Sequence, residues 1–396
     1  MSRHFHLNIP SVQNYLAETD IDGWLIYDFA GINKAAAEIF TFSDHFFSRR
    51  WFYFIPKEGQ PTAIIHKIED AIFPELPGEK LLYAGLNELN NTLSEVLNGV
   101  RKIAMEYSPK NNIPTVSYID AGTFEMISEI GPEIVSSANL IQYFTCRLSD
   151  EQLESHKKAV QLLHEAQEQA FKMIESKLQK NEPVTEYDVQ QFIRKHIYEN
   201  NFISMSDAIV GVNSNASNPH YAPTKDTFSP IQKGDCILID LWAKENTPNS
   251  IYGDITWVGF AGKNPPDEYA KIFEIDRDAR DKAVTFLRES HAQGKTIMGC
   301  QVDEVVRNHI SAHGYSEYFF HRTGHSIGQE DHGKGVNIDS YETVDMREII
   351  PGLLFSIEPG IYLPQFGVRT EIDVYYSENG PQTFAPMQQE LVLMDV

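Results

Sequence analysis

The chain has 396 residues, room for two or three domains at roughly 150 residues each, and its 42% apolar and 22% charged composition excludes a disordered or fibrous protein. Lysine and arginine number 33 against 56 acidic residues, a net charge of −23 spread along the whole chain. Such acidity repels phosphate backbones and anionic lipid, so neither nucleic acid nor a membrane surface is an expected partner, and it leaves carboxylates to spare for a metal site.

No apolar run reaches the roughly 18 residues of a membrane span, and residues 1–10 lack the apolar stretch of a secretory leader. Cys146, Cys236 and Cys300 lie far apart without Cys-x-x-Cys spacing, the pattern of small buried residues in a reducing compartment. A cytoplasmic protein is the expectation.

In chain order, residues 11–19 read as a helix, 24–27, 51–55 and 62–65 as strands, 88–97 as a helix and 102–105 as a strand. Alternating strands and helices suggest a small α/β domain. Ser149 with Gln152 then forms a capping-box pattern. Leu153, Val160, Leu163, Phe171, Ile174 and Leu178 recur at helical spacing until Pro183, and Thr185 caps a second helix through His196. The spacing places a domain boundary near 148, separating domains 1–148 and 149–396. Beyond it, 236–241 and 251–260 read as two strands joined by an oversized polar turn over 244–250. Helices over 266–292 and 303–313, stopped by Gly294 and Gly314, precede strands over 353–357 and 371–376. The larger domain is therefore expected to be α+β and mostly antiparallel.

Acidic residues and histidines stand inside or beside these strands: Asp240, Asp254, Glu358, Glu371 and His325. Carboxylates are expensive to bury unless something pairs with them. Four carboxylates and one neutral imidazole carry −4, the charge that two divalent cations neutralise. Oxygen ligands with one nitrogen favour manganese, cobalt, iron or zinc over softer metals. Each acid alone reads more readily as a solvated or salt-bridged strand residue.

Taken together, the series resembles the pita-bread metallopeptidases, the family of methionine aminopeptidase, aminopeptidase P and prolidase. The resemblance covers about 150–390 and rests on Asp240, on Asp254-Ile-Thr256, on Gly324-His-Ser-Ile-Gly328, on Ser356-Ile-Glu-Pro-Gly-Ile-Tyr362 and on Gly367-Val-Arg-Thr-Glu371. The first 148 residues look like the smaller creatinase-type domain that precedes the catalytic domain in aminopeptidase P and prolidase. The resemblance implies a dimetal hydrolase that removes a residue preceding proline from small peptides. It implies that Asp240 holds one metal, that Asp254 and Glu371 bridge the pair, and that His325 and Glu358 complete the other shell. Manganese is the first expectation, with cobalt, zinc or iron as alternatives, and Glu358 also handles protons. His332, seven residues after His325, and His220, in Asn218-Pro-His-Tyr221, match histidines that contact the substrate during turnover. Arg369 matches an arginine that binds the substrate carboxylate or orients a ligand carboxylate or Asp373. His321 has a weaker claim as a pocket residue, and His313 reads as a helix-end residue. A homodimer is implied by the resemblance alone.

The chain also departs from the pattern. Its two aspartates stand fourteen residues apart, three more than usual, and Trp242 and Trp257 occupy positions where glycine and arginine are common. These departures suggest reshaped pocket walls and an alternative, a same-fold enzyme acting on a small non-peptide amide, guanidino or sulfonium substrate. A binding module that has lost its metals is disfavoured by the complete ligand set. His45, Phe46, Phe47, Arg49 and Arg50 form an aromatic and basic cluster that a strand edge explains equally well.

Overall fold

The computed structural model describes residues 5–40, 42 and 47–396. The chain forms two compact units, Met1–Thr145 and Cys146–Val396. His45 and Phe46 lie outside the described residues; Phe47 is buried, while Arg49 and Arg50 are exposed.

The first unit contains α1 (Ile9–Glu18), β1 (Gly23–Asp28), α2 (Lys34–Ile39), β2 (Trp51–Pro56), β3 (Thr62–His66) and β4 (Glu79–Tyr83). It continues with α3 (Leu86–Val96), β5 (Lys102–Met105), α4 (Ala121–Ile130), β6 (Glu133–Ser136) and α5 (Ala138–Ile141). Its strands form one sheet in the order β4-β3-β2-β1-β5-β6. Trp24 and Ile26 pack into a core on one face, and Leu25 and Tyr27 into a second core on the other. Burial on both faces explains why β1 is a continuous apolar run instead of an alternating one.

The second unit opens with α6 (Asp150–Gln179) and α7 (Glu186–Glu199), and Ser149 with Gln152 forms the expected capping box. Then follow β7 (Phe202–Ile203), β8 (Ile209–Val212), β9 (Cys236–Glu245), β10 (Gly253–Phe260), α8 (Asp267–Ala292) and α9 (Gly299–Ala312). The remaining strands are β11 (Leu353–Ile357), β12 (Gly360–Leu363), β13 (Phe366–Arg369), β14 (Ile372–Ser377), β15 (Gly380–Gln382) and β16 (Val392–Leu393). β9 and β10 pair antiparallel with Thr256 opposite Asp240 and Trp242 opposite Asp254. Ile237, Ile239, Leu241 and Ile255 turn to a core shared with α6 and α7. Leu238, Val258 and Phe260 turn to a core shared with α8, α9 and β11–β14. Strand residues alternate between faces, so Asp240, Asp254 and Thr256 belong to the second face. Gly253 brings β10 against α6, since a Cβ there would stand 2.8 Å from Val160 Cγ1.

Glu106 is sealed inside the core of the first unit. Trp24 Nε1 (2.8 Å), Asn33 Nδ2 (2.9 Å), Ser137 Oγ (3.1 Å) and the Tyr27 N–H (3.4 Å) all donate to it. Burial nonetheless wins over these bonds and pushes its carboxyl up from 4.5 to about 7. A group bound more tightly to its proton when folded stabilises most below the unfolded value and loses that stabilisation as pH rises. The contribution of Glu106 is therefore complete below pH about 4.5 and declines through pH about 7, by about 3 kcal/mol in all. Urea midpoints followed between pH 5 and 8 should fall in the wild type and flatten in Glu106→Gln.

Candidate metal centre

Four short stretches converge on the face of β9 and β10 that carries Asp240, Asp254 and Thr256. The link between β13 and β14 brings Glu371, whose N–H donates to the Thr256 carbonyl (3.2 Å) and whose Oε2 accepts from Thr256 Oγ1 (2.6 Å). The end of β11 brings Glu358. His325 arrives on a segment laid against β11: the Ser356 N–H donates to the His325 carbonyl (2.9 Å) and the His325 N–H to Ser356 Oγ (3.0 Å). Gly324 permits that approach, because a Cβ there would overlap the Ser356 carbonyl oxygen. The enlarged turn between the two aspartates joins the same assembly through the Tyr252 N–H, which donates to the Gly328 carbonyl (3.0 Å).

Ligand atoms of Asp254, His325 and Glu371 lie within 4.8 Å of one another. His325 Nδ1 donates to the Ser326 carbonyl (3.2 Å), which fixes the tautomer and leaves a lone pair on Nε2. That lone pair faces Glu358 Oε1 at 3.3 Å and Asp254 Oδ2 at 3.7 Å. Burial, then the Arg322 charge, holds the imidazole down to about 3, so it is neutral at physiological pH. Acceptors facing acceptors in a buried site require a proton or a cation between them. Asp254 Oδ1 and Glu371 Oε1 are also buried and, among the described residues, have no hydrogen-bond partner. The residues present fit a divalent cation centre.

The electrostatics agree. Burial raises Asp254 well above the usual carboxylate range, and repulsion from Glu371, Asp331, Asp240 and Asp373 adds to it. Burial likewise raises Glu371, with Glu358 and Asp240 adding and Arg369 opposing. Burial also raises Asp240, against the pull of Arg369, and Glu358, against Arg369 and Arg322. Two like charges 4.8 Å apart repel by about 3.5 kcal/mol at an effective dielectric constant of about 20. One buried arginine cannot offset four such carboxylates.

Arg369 is fully engaged. It donates to Asp240 Oδ2, to Thr256 Oγ1 (3.1 Å) and to the Tyr362 hydroxyl (3.0 Å). The Tyr362 hydroxyl in turn donates to His321 Nε2 (2.8 Å), and His321 Nδ1 to the Arg322 carbonyl (2.7 Å). His321 thus ties the Arg369 network to the backbone that leads into His325. Asp373 accepts the Asp254 N–H (2.8 Å) and makes no ion pair with Arg369 among the described residues.

His332 stacks on His325 with ring centroids 4.1 Å apart, and its side chain is 63% exposed. Arg322 Nη2 donates toward its Nδ1 at 3.4 Å, which leaves the proton on Nε2, the atom 3.9 Å from Asp331 Oδ2. His220 is exposed on the segment after a 3₁₀ turn at Asn213–Ser217, near enough to disfavour protonation of His332 once desolvation, His325 and Arg322 have acted. His313 caps α9, its Nδ1 donating to the His309 carbonyl (2.9 Å). Thr256 and Ser356 stood in the sequence motifs without a role and Asp331 was not singled out, although alternation from Asp254 already puts Thr256 on the site's face. The expectation for Trp257 is overturned: alternation turns it to α6, where its ring lies 5.4 Å from His164. Trp242 does share the face of Asp240.

A family model described as metallopeptidase family M24 matches residues 154–378. An Xaa-Pro dipeptidase of Lactobacillus delbrueckii subsp. lactis is 25% identical over 400 residues, covering 98% of this chain and the whole of that protein. An Xaa-Pro dipeptidase of Pyrococcus horikoshii is 36% identical over 163 residues, 41% of this chain and 42% of that one. The solved dipeptidase PepE of Mycobacterium ulcerans superposes with a TM-score of 0.68 at 21% identity, covering 98% and 97% of the two chains. That likeness shows the expected fold, a pita-bread domain behind a smaller α/β domain. No helix among the described residues is long and apolar enough to cross a membrane.

The cluster makes a prediction about metal that needs no substrate. Manganese added to chelator-treated protein at a hundredfold excess over Kd should stabilise it by about 2.7 kcal/mol per site, and raise Tm by about 5 °C or more. Asp254→Asn, which removes a charge without removing volume, should abolish most of that rise in a thermal melt.

Proposed function

The chain belongs to metallopeptidase family M24, and we propose that within it the protein is an Xaa-Pro dipeptidase using two divalent cations, manganese first among them. The observation that carries the reading is the buried meeting of neutral His325 with Glu358, Asp254 and Glu371, next to an Asp240 held by Arg369. The dipeptide assignment draws support from the names of the relatives, one of which aligns along its entire length.

In this reading Asp240, Asp254, His325, Glu358 and Glu371 hold the cations. Bound there, the cations would supply Lewis-acid polarisation of the scissile carbonyl and acidification of the attacking water. Glu358, at the end of β11 and 3.3 Å from His325 Nε2, would take the proton of that water and pass it to the leaving nitrogen. His332 presents its Nε2–H, and His220 its ring, to the oxygen on which negative charge develops. Arg369 positions Asp240 and opposes the rise that burial gives its carboxyl. With Trp257 turned to the opposite face, the non-peptide alternative rests on Trp242 and the enlarged turn between the two aspartates.

Release of the N-terminal residue should be measured from an Xaa-Pro dipeptide and an Xaa-Pro tripeptide, with manganese and with chelator. Manganese-dependent cleavage that favours the dipeptide is expected; preference for the tripeptide would make the enzyme an aminopeptidase P instead. Glu371→Ala should lower kcat/KM by at least about a thousandfold, and a wild-type rate in that variant would overturn the assigned roles.

A further inference from the structure

His220 hangs from a long segment between β8 and β9, and the structure places one buried carboxylate behind that segment. Glu186, the first residue of α7, is fully buried. Among the described residues it has no ion-pair partner. It is not the helix cap either, since Thr185 and Asp188 complete the capping box between themselves. Its side chain instead collects donors from across the segment. Oε1 accepts from the Val212 N–H (2.7 Å) and Asn215 Nδ2 (2.9 Å). Oε2 accepts from the Tyr221 hydroxyl (2.6 Å) and the Ser229 N–H (2.6 Å).

Three points of the segment, at Val212, Tyr221 and Ser229, are thus fastened to one carboxyl group. Burying a charge is costly, and a carboxylate satisfied only by neutral donors is retained where those donors must be held together. The midpoint contact is Tyr221, the residue after His220. His220 is otherwise fixed locally by the bond from its own N–H to Asn218 Oδ1 (3.1 Å) and by the Tyr221 N–H to the Asn218 carbonyl (2.9 Å). On its far side the segment lies against β12 and β13: Ser217 Oγ donates to the Leu363 carbonyl, and Gly367 leaves room for the Ala216 carbonyl that a Cβ would overlap.

We propose that Glu186, acting through Tyr221, is a positioning residue that sets His220 over the reacting bond, an inference that rests on the role assigned to His220 above. A histidine that donates to developing charge is sensitive to placement, because a displacement of about 1 Å can cost on the order of a hundredfold in rate. Glu186 lies far from the reacting atoms in sequence and touches none of them. Its effect therefore has to vanish when His220 is gone.

A double-mutant cycle tests this. Tyr221→Phe keeps the ring and removes one hydroxyl, so it is the variant least exposed to misfolding. It should lower kcat for the Xaa-Pro dipeptide roughly tenfold, with KM and bound manganese little changed. In a His220→Ala background the same substitution should add nothing. Amide exchange over residues 213–229 should quicken in Tyr221→Phe and Glu186→Gln and stay at the wild-type rate in His220→Ala. Equal losses in both backgrounds would overturn the proposal, and so would unaltered exchange in Tyr221→Phe. If the wild type leaves Xaa-Pro peptides untouched, the substrate reading fails separately. The exchange rates then decide the clamp on their own, faster exchange supporting it and unchanged exchange sinking it.

Discussion

Repulsion among buried carboxylates governs the catalytic unit. Asp240 and Asp254 come from two strands, Glu358 and Glu371 from the links beside others, and all four meet in one shielded volume that Arg369 enters. Left to themselves they would part. What holds them is backbone: the pairing of β9 with β10, the bond from the Glu371 N–H to the Thr256 carbonyl, and the reciprocal bonds between His325 and Ser356. The surrounding core stabilises that backbone strongly enough to impose an arrangement the side chains oppose.

The scaffold does this by giving the two faces of one strand pair different tasks. One face of β9 and β10 is aliphatic and packs on α6 and α7. The other changes along its length from Leu238 and Val258, in the core with α8 and α9, to Asp240, Asp254 and Thr256 at the site. Thr256 is the hinge of the second face, donating to Glu371 and accepting from Arg369. It couples Glu371 to Arg369 without adding charge.

Much of this was legible beforehand, for a physical reason. Apolar, β-rich runs announce β9 and β10, and an acid inside an apolar strand announces itself, so Asp240 and Asp254 stand out. The capping box at Ser149 and the length of α6 follow from local chemistry. β4 was missed because it opens with exposed Glu79 and Lys80 and only then turns apolar. α4 was missed although Asp120 at its N-cap and Gly131 at its C-cap were readable signals. Partnerships across long separations left no local trace. Nothing near Arg369 says that it reaches Asp240, 129 residues away, and nothing near Glu186 says that it gathers Val212, Tyr221 and Ser229. Trp257 misled because its position relative to the ligands was weighed and its parity was not.

The high proton affinity of the buried acids has a consequence for loading. Before cations arrive, the cheapest way to relieve four crowded carboxylates beside a lone guanidinium is to keep some of them as acids. Each cation that enters must then displace the protons it replaces, so uptake is an exchange with solvent hydrogen ions. Apparent affinity for metal is thereby tied to the acidity of the medium. In weakly buffered solution the filling of the centre would register on a glass electrode as a fall in pH.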